Sequence, residues 1–198
     1  MELGARPPGS DEWRSRGYLP HFDAPGLVQS ITFRLDDALP AEVVAHLKHE
    51  HGGQPDSVKR QRLEAYLDAG HGCCHLLIPK VARLVEDALL HFDGRRYRLL
   101  EWVLMPNHVH VLVETLEGYP LSGVVQSWKS FTAKEANRLL GREGAFWQPE
   151  YFDRAIRDER HLSAVTRYIR GNPVIAGLVT AESSWLFGSA RRRLGVSE

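Results

Sequence analysis

Alternation of apolar and polar residues first becomes regular at residues 27–35. Leu27, Gln29, Ile31, Phe33 and Leu35 fall on one side, and Val28, Ser30, Thr32 and Arg34 on the other, which predicts a half-buried strand. Pro40 then opens a helix with Val43, Val44 and Leu47 on its apolar side. Gly52-Gly53 stops it, and a second short helix from about 58 to 67 ends at Gly70. Over residues 79–92 the spacing becomes helical, with Val81, Ala82, Leu84, Val85, Ala88, Leu89 and Phe92 on one side and Asp93-Gly94 as the stop. Residues 97–105 and 108–114 read as two strands joined at Pro106-Asn107, which is turn chemistry, so an antiparallel hairpin is expected. A long helix follows over 121–140. Pro149 interrupts the chain, and Asp158 can cap a last helix from 159 to 171, ended by Gly171 and Pro173. Strands and helices in this order predict an α+β fold, a central antiparallel sheet flanked by helices.

The chain has 198 residues, about one domain's worth. Residues 1–17, rich in Gly, Pro, Arg and Ser, read as a flexible arm, 18–186 as a single domain and 187–198 as a basic tail. With 43% hydrophobic and 25% charged residues, the composition is that of a soluble folded protein. Acidic and basic residues balance at 25 each, so there is no overall positive field and any nucleic-acid site must be local. Only five of the basic residues are lysine, and the planar guanidinium of the remainder suits phosphate. Cys73 and Cys74 are adjacent, which excludes a disulfide framework. The first residues lack the pattern of a secretory signal, and no window is apolar enough to span a membrane. The expected location is cytoplasmic.

Two constellations carry candidate chemistry. In the segment from Met105 to Glu114, alternation puts His108 and His110 on one face of a strand and Val109, Val111 and Val113 on the other. Side chains two apart on a rigid strand make a natural pair of metal ligands; an exposed face that happens to hold two histidines has the same pattern. Near the other end, Leu162, Val165 and Ile169 mark the core side of a helix, with Tyr168 and Asn172, four apart, together on its flank. A phenol beside an amide oxygen can act as a nucleophile next to a metal ligand, and an edge tyrosine that packs its ring and shows its hydroxyl to water reads the same way. Further along, Trp128, Phe131, Trp147, Tyr151, Phe152, Trp185 and Phe187 are interleaved with Lys129, Lys134, Arg154, Arg157, Arg160, Arg167 and Arg170. That mixture suits stacking on unpaired bases with cations on phosphates, although Trp128 and Phe131, three apart on a helix, have core spacing.

Taken with their surroundings, these blocks resemble the REP-associated tyrosine transposases, a branch of the single-tyrosine HUH transposases. The likeness runs from about residue 18 to 186. It rests on Leu19-Pro20-His21-Phe22-Asp23, Ile31-Thr32-Phe33-Arg34-Leu35, His91-Phe92-Asp93-Gly94, Met105 to Val113, Ser127-Trp128-Lys129-Ser130-Phe131, Phe146-Trp147-Gln148, Tyr151-Phe152-Asp153-Arg154 and Tyr168-Ile169-Arg170-Gly171-Asn172-Pro173-Val174. The resemblance implies a ferredoxin-like sheet of the RNA-recognition-motif type. It assigns His108 and His110 to a divalent metal, Mg²⁺ or Mn²⁺, with Asn172 as third ligand and Tyr168 as nucleophile. It further implies cleavage and rejoining of single-stranded DNA beside the hairpin of a repeated extragenic palindrome, through a 5′-phosphotyrosine. No nucleotide cofactor is needed, because the covalent intermediate conserves the bond energy, and a monomer is implied. Lys129, Lys134, Arg154, Arg157, Arg167 and Arg170 are the expected DNA contacts.

Other readings compete with this one. His71, Cys73, Cys74 and His75 form a compact cluster that could bind zinc, but adjacent cysteines fit one tetrahedral ion poorly. A histidine-triad hydrolase would need a third histidine where Leu112 stands. A domesticated DNA-binding protein that no longer cleaves is the main alternative. Gly188 occupies a place where the resemblance would put a serine, which leaves any contact made by that C-terminal segment open.

Overall fold

The computed structural model describes residues 13–15, 20–22, 26–40, 42–43, 65–193 and 195. Along these run β1 (Trp13–Ser15), β2 (Pro20–Phe22), β3 (Val28–Arg34), α1 (Pro79–Leu90), β4 (Tyr97–Leu104), β5 (His108–Thr115), α2 (Leu121–Leu140), β6 (Phe152–Ala155), α3 (Glu159–Ile175) and the short α4 (Ser189–Arg193). β1 and β2 pair with each other, and the main sheet has the order β4-β5-β3-β6 with every neighbouring pair antiparallel. The α+β class and the hairpin expected from the sequence are therefore present. The helix expected from Pro40 is described only at residues 42–43 and that from 58 to 67 only at 65–68, both helical; the remainder, with residues 1–12, lies outside the described residues.

Valines fix which way the sheet faces. Val109, Val111 and Val113 on β5 are fully buried in one core with Ile31 and Phe33 of β3, Leu35 just beyond it, Val81, Val85 and Leu89 of α1, and Val124, Val125 and Trp128 of α2. Burying each such side chain is worth on the order of 1.5–3 kcal/mol. Because side chains alternate, a slip of one residue would drive His108 and His110 into that core. On the opposite face, Val28, Val103, Met105, Leu112 and Ile156 pack against Ile169 of α3, with Leu162, Val165 and Tyr168 alongside. Helices thus cover both faces, so β3 is more buried than its alternation predicts: Ser30 and Thr32 stay part-exposed, while Val28 and Arg34 on the same face are buried.

Local chemistry places the helix ends. Pro79 opens α1 at a position where no backbone donor is needed. Gly141, in the left-handed conformation at φ 61°, closes α2. Asp158 caps α3 by accepting from the His161 amide at 2.7 Å. α3 continues past the expected stop at Gly171 to Ile175, with Pro173 inside it. Proline in a last turn removes one helix hydrogen bond without ending the pattern, and the extension keeps Asn172 on the same helical face as Tyr168.

Candidate active site

The histidines lie on the α3 face of the sheet, and burial sets their character. His108 and His110 are almost wholly shielded from water, at 0% and 2% exposure, so the alternative of an exposed strand face is ruled out by geometry. Their Nε2 atoms face each other at 3.0 Å. Burial holds the imidazole of His108 well below its usual range, with the neighbouring His110 and Arg34 adding to the shift, and pushes His110 down to about 3. Both rings are neutral at physiological pH.

Neighbours fix which nitrogens are free. Asn107, fully buried in the β4–β5 turn, donates from Nδ2 to the His71 carbonyl at 2.9 Å. That contact turns its Oδ1 towards His108, whose Nδ1–H donates to it at 2.8 Å. The Nε2 of His108 therefore carries a lone pair. On His110, Nδ1 shares a 2.8 Å hydrogen bond with the Thr32 hydroxyl of β3, its antiparallel partner in the sheet. A hydroxyl both donates and accepts, so Thr32 can support either tautomer of His110: one that donates to His108, or one that presents a second lone pair.

α3 brings the remaining groups over this pair. The Tyr168 ring stands 5.3 Å from that of His110, centroid to centroid and nearly perpendicular. Asn172, one turn further along, is fully buried, and among the described residues neither its Oδ1 nor its Nδ2 has a hydrogen-bond partner. A buried amide left unsatisfied costs on the order of 1–3 kcal/mol. The spacing of the two opposed imidazole nitrogens fits a divalent cation, since adjacent ligands of an octahedral ion at about 2.1 Å are about 3 Å apart, and the Asn172 amide stands one helical turn from the tyrosine that packs on His110. Asp68 sits close by, its Oδ1 3.9 Å from His108 Nε2, beyond hydrogen-bonding range, and burial pushes its carboxyl up.

The expected DNA contacts divide into two groups. Lys134, Arg157 and Arg167 are exposed, and Arg154 is half-buried on β6. Lys129 donates to the carbonyls of Gln148 at 2.6 Å and Pro149 at 2.7 Å, and burial lowers its ammonium to about 8. Arg170 is bound to Glu101 through Nε at 3.0 Å and Nη2 at 2.5 Å. These two cations already have partners within the fold, unlike a cation held only by solvent. Trp128 and Trp147 are core residues, the first donating to the Tyr97 hydroxyl and the second to Thr132.

The cluster at residues 71–75 has a backbone role. His71 and Cys73 are exposed, and among the described residues no three His, Cys, Asp or Glu side chains converge to hold a metal. What the segment supplies is the His71 carbonyl that orients Asn107. Sequence reasoning missed Thr32, Asn107 and Arg34, the last a buried cation paired across the sheet with His108. Alternation on β3 was the available signal: Thr32 and Arg34 share the face that its antiparallel pairing with β5 sets beside the histidines.

Comparison with known proteins gives the same picture. Residues 85–172 match the family model described as transposase IS200 like. An Escherichia coli REP-associated tyrosine transposase is 29% identical over 98 residues, covering 50% of this chain and 57% of the relative. A Haemophilus influenzae protein provisionally given the same name is 27% identical over 99 residues, covering 45% and 56%. The chain thus spans little more than half the length of these curated relatives. A solved structure of a REP-associated tyrosine transposase bound to a REP hairpin superposes with a TM-score of 0.56 at 19% identity, over 89% of this chain and 84% of that one, which shows a shared fold. In sequence over residues 85–172 this chain is similar to the IS200-like transposases. The curated relatives it resembles are REP-associated tyrosine transposases, and it shares a fold with one. Among the described residues, no helix is long and apolar enough to cross a membrane.

Proposed function

We propose that this protein is a metal-dependent single-stranded DNA endonuclease and strand transferase that acts beside hairpins of repeated extragenic palindromes. The observation that carries the reading is the pair of neutral, opposed histidine nitrogens with the Tyr168 ring 5.3 Å from His110. His108, His110 and Asn172 hold a divalent ion, Mg²⁺ or Mn²⁺. When bound, that ion supplies positive charge to offset the charge that develops on the phosphate. The Tyr168 oxygen attacks phosphorus and gives up its proton; the bond to the 3′ oxygen breaks, and that oxygen takes a proton to become a free 3′-hydroxyl. The 5′-phosphotyrosine left behind rejoins to another 3′-hydroxyl by the reverse step, so no nucleotide is consumed. Lys134, Arg154, Arg157 and Arg167 contact the DNA backbone, and the protein works as a cytoplasmic monomer, its domain spanning 18–186.

The test is incubation with labelled single-stranded oligonucleotides carrying candidate hairpins, in Mg²⁺, Mn²⁺ or EDTA. Denaturing gels and mass spectrometry of peptides follow. A metal-dependent adduct on the Tyr168 peptide, absent from Tyr168→Phe, is the expected result. Hairpin binding without cleavage would transfer support to the domesticated DNA-binding reading, and an adduct that survives in Tyr168→Phe would remove the tyrosine from the chemistry.

A further inference from the structure

Glu101 is a buried carboxylate that the chemistry above does not use, and four donors converge on it. It is 3% exposed and stands at a bulge in the β4–β5 ladder between Leu99 and Glu101, an irregularity that re-aims a strand side chain. Arg170 of α3 grips it with Nε and Nη2 at 3.0 and 2.5 Å. The Ser189 hydroxyl donates to its Oε2 at 2.6 Å, and Arg193 Nη2 lies 2.9 Å from Oε1. Three segments far apart in sequence therefore meet on one carboxylate.

The C-terminal segment is built onto β4 to make this meeting possible. Leu104 donates to the Phe187 carbonyl at 3.0 Å, and Val103 forms a bridge with Gly188. A Cβ at Gly188 would stand at ordinary contact distance from the Trp102 carbonyl, 3.4 Å, and the Val103 side chain, 3.5 Å, which shows how closely this segment lies along β4. Ser189 is locked to the backbone of Trp102, accepting from its amide at 3.3 Å and lying 3.1 Å from its carbonyl. Trp185 donates to the Leu104 carbonyl at 2.8 Å. Phe187 and Ser189 are buried as a result.

Position on the helix gives the node its meaning. On α3 only Ile169, Asn172 and Pro173 are fully buried, while Leu162, Val165 and Tyr168 pack on the sheet part-exposed. Arg170 lies two residues from both Tyr168 and Asn172, roughly 200° around the helix from each. Its grip on Glu101 acts on the far side of the Ile169 seam from the tyrosine. With side chains reaching about 5–6 Å from the axis, a turn of about 10° moves a tyrosine tip by about 1 Å, a misplacement able to lower a rate on the order of 100-fold. We propose that Glu101, Arg170 and the C-terminal helix α4 form a positioning node that sets the rotation of α3, and with it the place of Tyr168 over the histidine pair. This rests on the proposed role of Tyr168.

The experiment uses the full chain and the variants Glu101→Gln, Arg170→Ala, Arg170→Lys and Arg193→Ala. It measures the single-turnover rate of Tyr168 adduct formation at saturating hairpin DNA with Mn²⁺, the DNA Kd, the Tm, and amide hydrogen exchange over residues 166–172. Glu101→Gln and Arg170→Ala should lower the adduct rate about tenfold or more, with Kd held within about twofold and exchange faster in 166–172. Arg170→Lys should recover part of the rate, and Arg193→Ala should lose about threefold. If Glu101→Gln does not fold, Arg193→Ala and Arg170→Lys carry the test, since Arg193 is largely exposed. An unchanged rate with unchanged exchange overturns the node. So does a weakened Kd with an unchanged rate at saturation, which would return Arg170 to DNA binding. Should the wild type form no adduct, the proposed function fails and the node is judged on hydrogen exchange alone: faster exchange supports it, unchanged exchange ends it.

Discussion

Replacing Asn107 with leucine tests how the metal-facing nitrogens are set. The two side chains branch at the same carbon and leucine is the larger, so the change removes polar groups without opening a cavity. Two hydrogen bonds disappear: the 2.9 Å donation to the His71 carbonyl and the 2.8 Å acceptance from His108 Nδ1–H. The His71 carbonyl belongs to an exposed residue and can turn to water, so its loss is cheap. His108 has no such recourse at 0% exposure, and a buried donor without a partner costs about 1–3 kcal/mol. The ring can limit that cost by moving its proton to Nε2 and donating to His110, which occupies the nitrogen that a cation needs. Asn107→Leu should therefore lose about 1–3 kcal/mol of stability in urea unfolding, or roughly 3–10 °C in Tm for a chain of this size. Metal affinity should fall 10- to 100-fold, as is usual when a ligand's supporting partner is removed. Mn²⁺ at about 100 times the wild-type Kd stabilises by about 2.7 kcal/mol, and at the same concentration the variant should gain only about 0.4–1.4 kcal/mol. A loss below about 0.5 kcal/mol with an undiminished Mn²⁺ effect would refute the argument that Asn107 selects the tautomer.

Two further outcomes follow from the same structure. The unfolded chain binds protons at both histidines near pH 6.5 while the folded chain refuses them, so stability should fall as pH drops below about 6.5 and keep falling towards 3. Asp68 and Glu86, whose carboxyls burial raises, act in the opposite sense at lower pH. Urea midpoints from pH 7.5 to 4.5 for the wild type and for His108→Gln/His110→Gln isolate the histidine contribution, which the double variant should lack. Gly72→Ala should destabilise by about 1–3 kcal/mol, because its φ is +85° and a Cβ would stand 2.5 Å from the Asp37 carbonyl oxygen. Gly70→Ala, at φ +70° with open space around it, is the control, and thermal melts in which it lost as much would show that the contact with Asp37 is unimportant.

What the sequence revealed depended on distance along the chain. The hairpin, α1 and α2 were legible because their periodicity is local, and the four-residue spacing of Tyr168 and Asn172 carried over directly into α3. β6 was not legible: four residues after a proline carry too little alternation, and the strand exists because β3 offers it an edge. α3 outran its expected end because glycine and proline in a last turn are tolerated when the helix is packed. The supports of the histidines were hidden for a different reason. Thr32 meets His110 across 78 residues, and Arg170 meets Glu101 across 69, so only the sheet register and the bulge bring them together. An arginine near a tyrosine reads as a phosphate ligand until its carboxylate partner is in view.

The sheet order β4-β5-β3-β6 bears on how this chain is made. β3 leaves the ribosome early, yet both of its neighbours lie far downstream, β5 beginning at residue 108 and β6 at residue 152. At translation speeds of about 5–20 residues per second, an apolar strand must wait several seconds for its first partner. Because β3 pairs with β5, the histidine pair can acquire Thr32 only once the second strand of the hairpin has been made. α3 emerges last of the elements that build the site. The helix that carries Tyr168 can therefore close over the histidines only after every strand of the sheet has been made, and the segment that packs on β4 through Trp185 and Gly188 follows it.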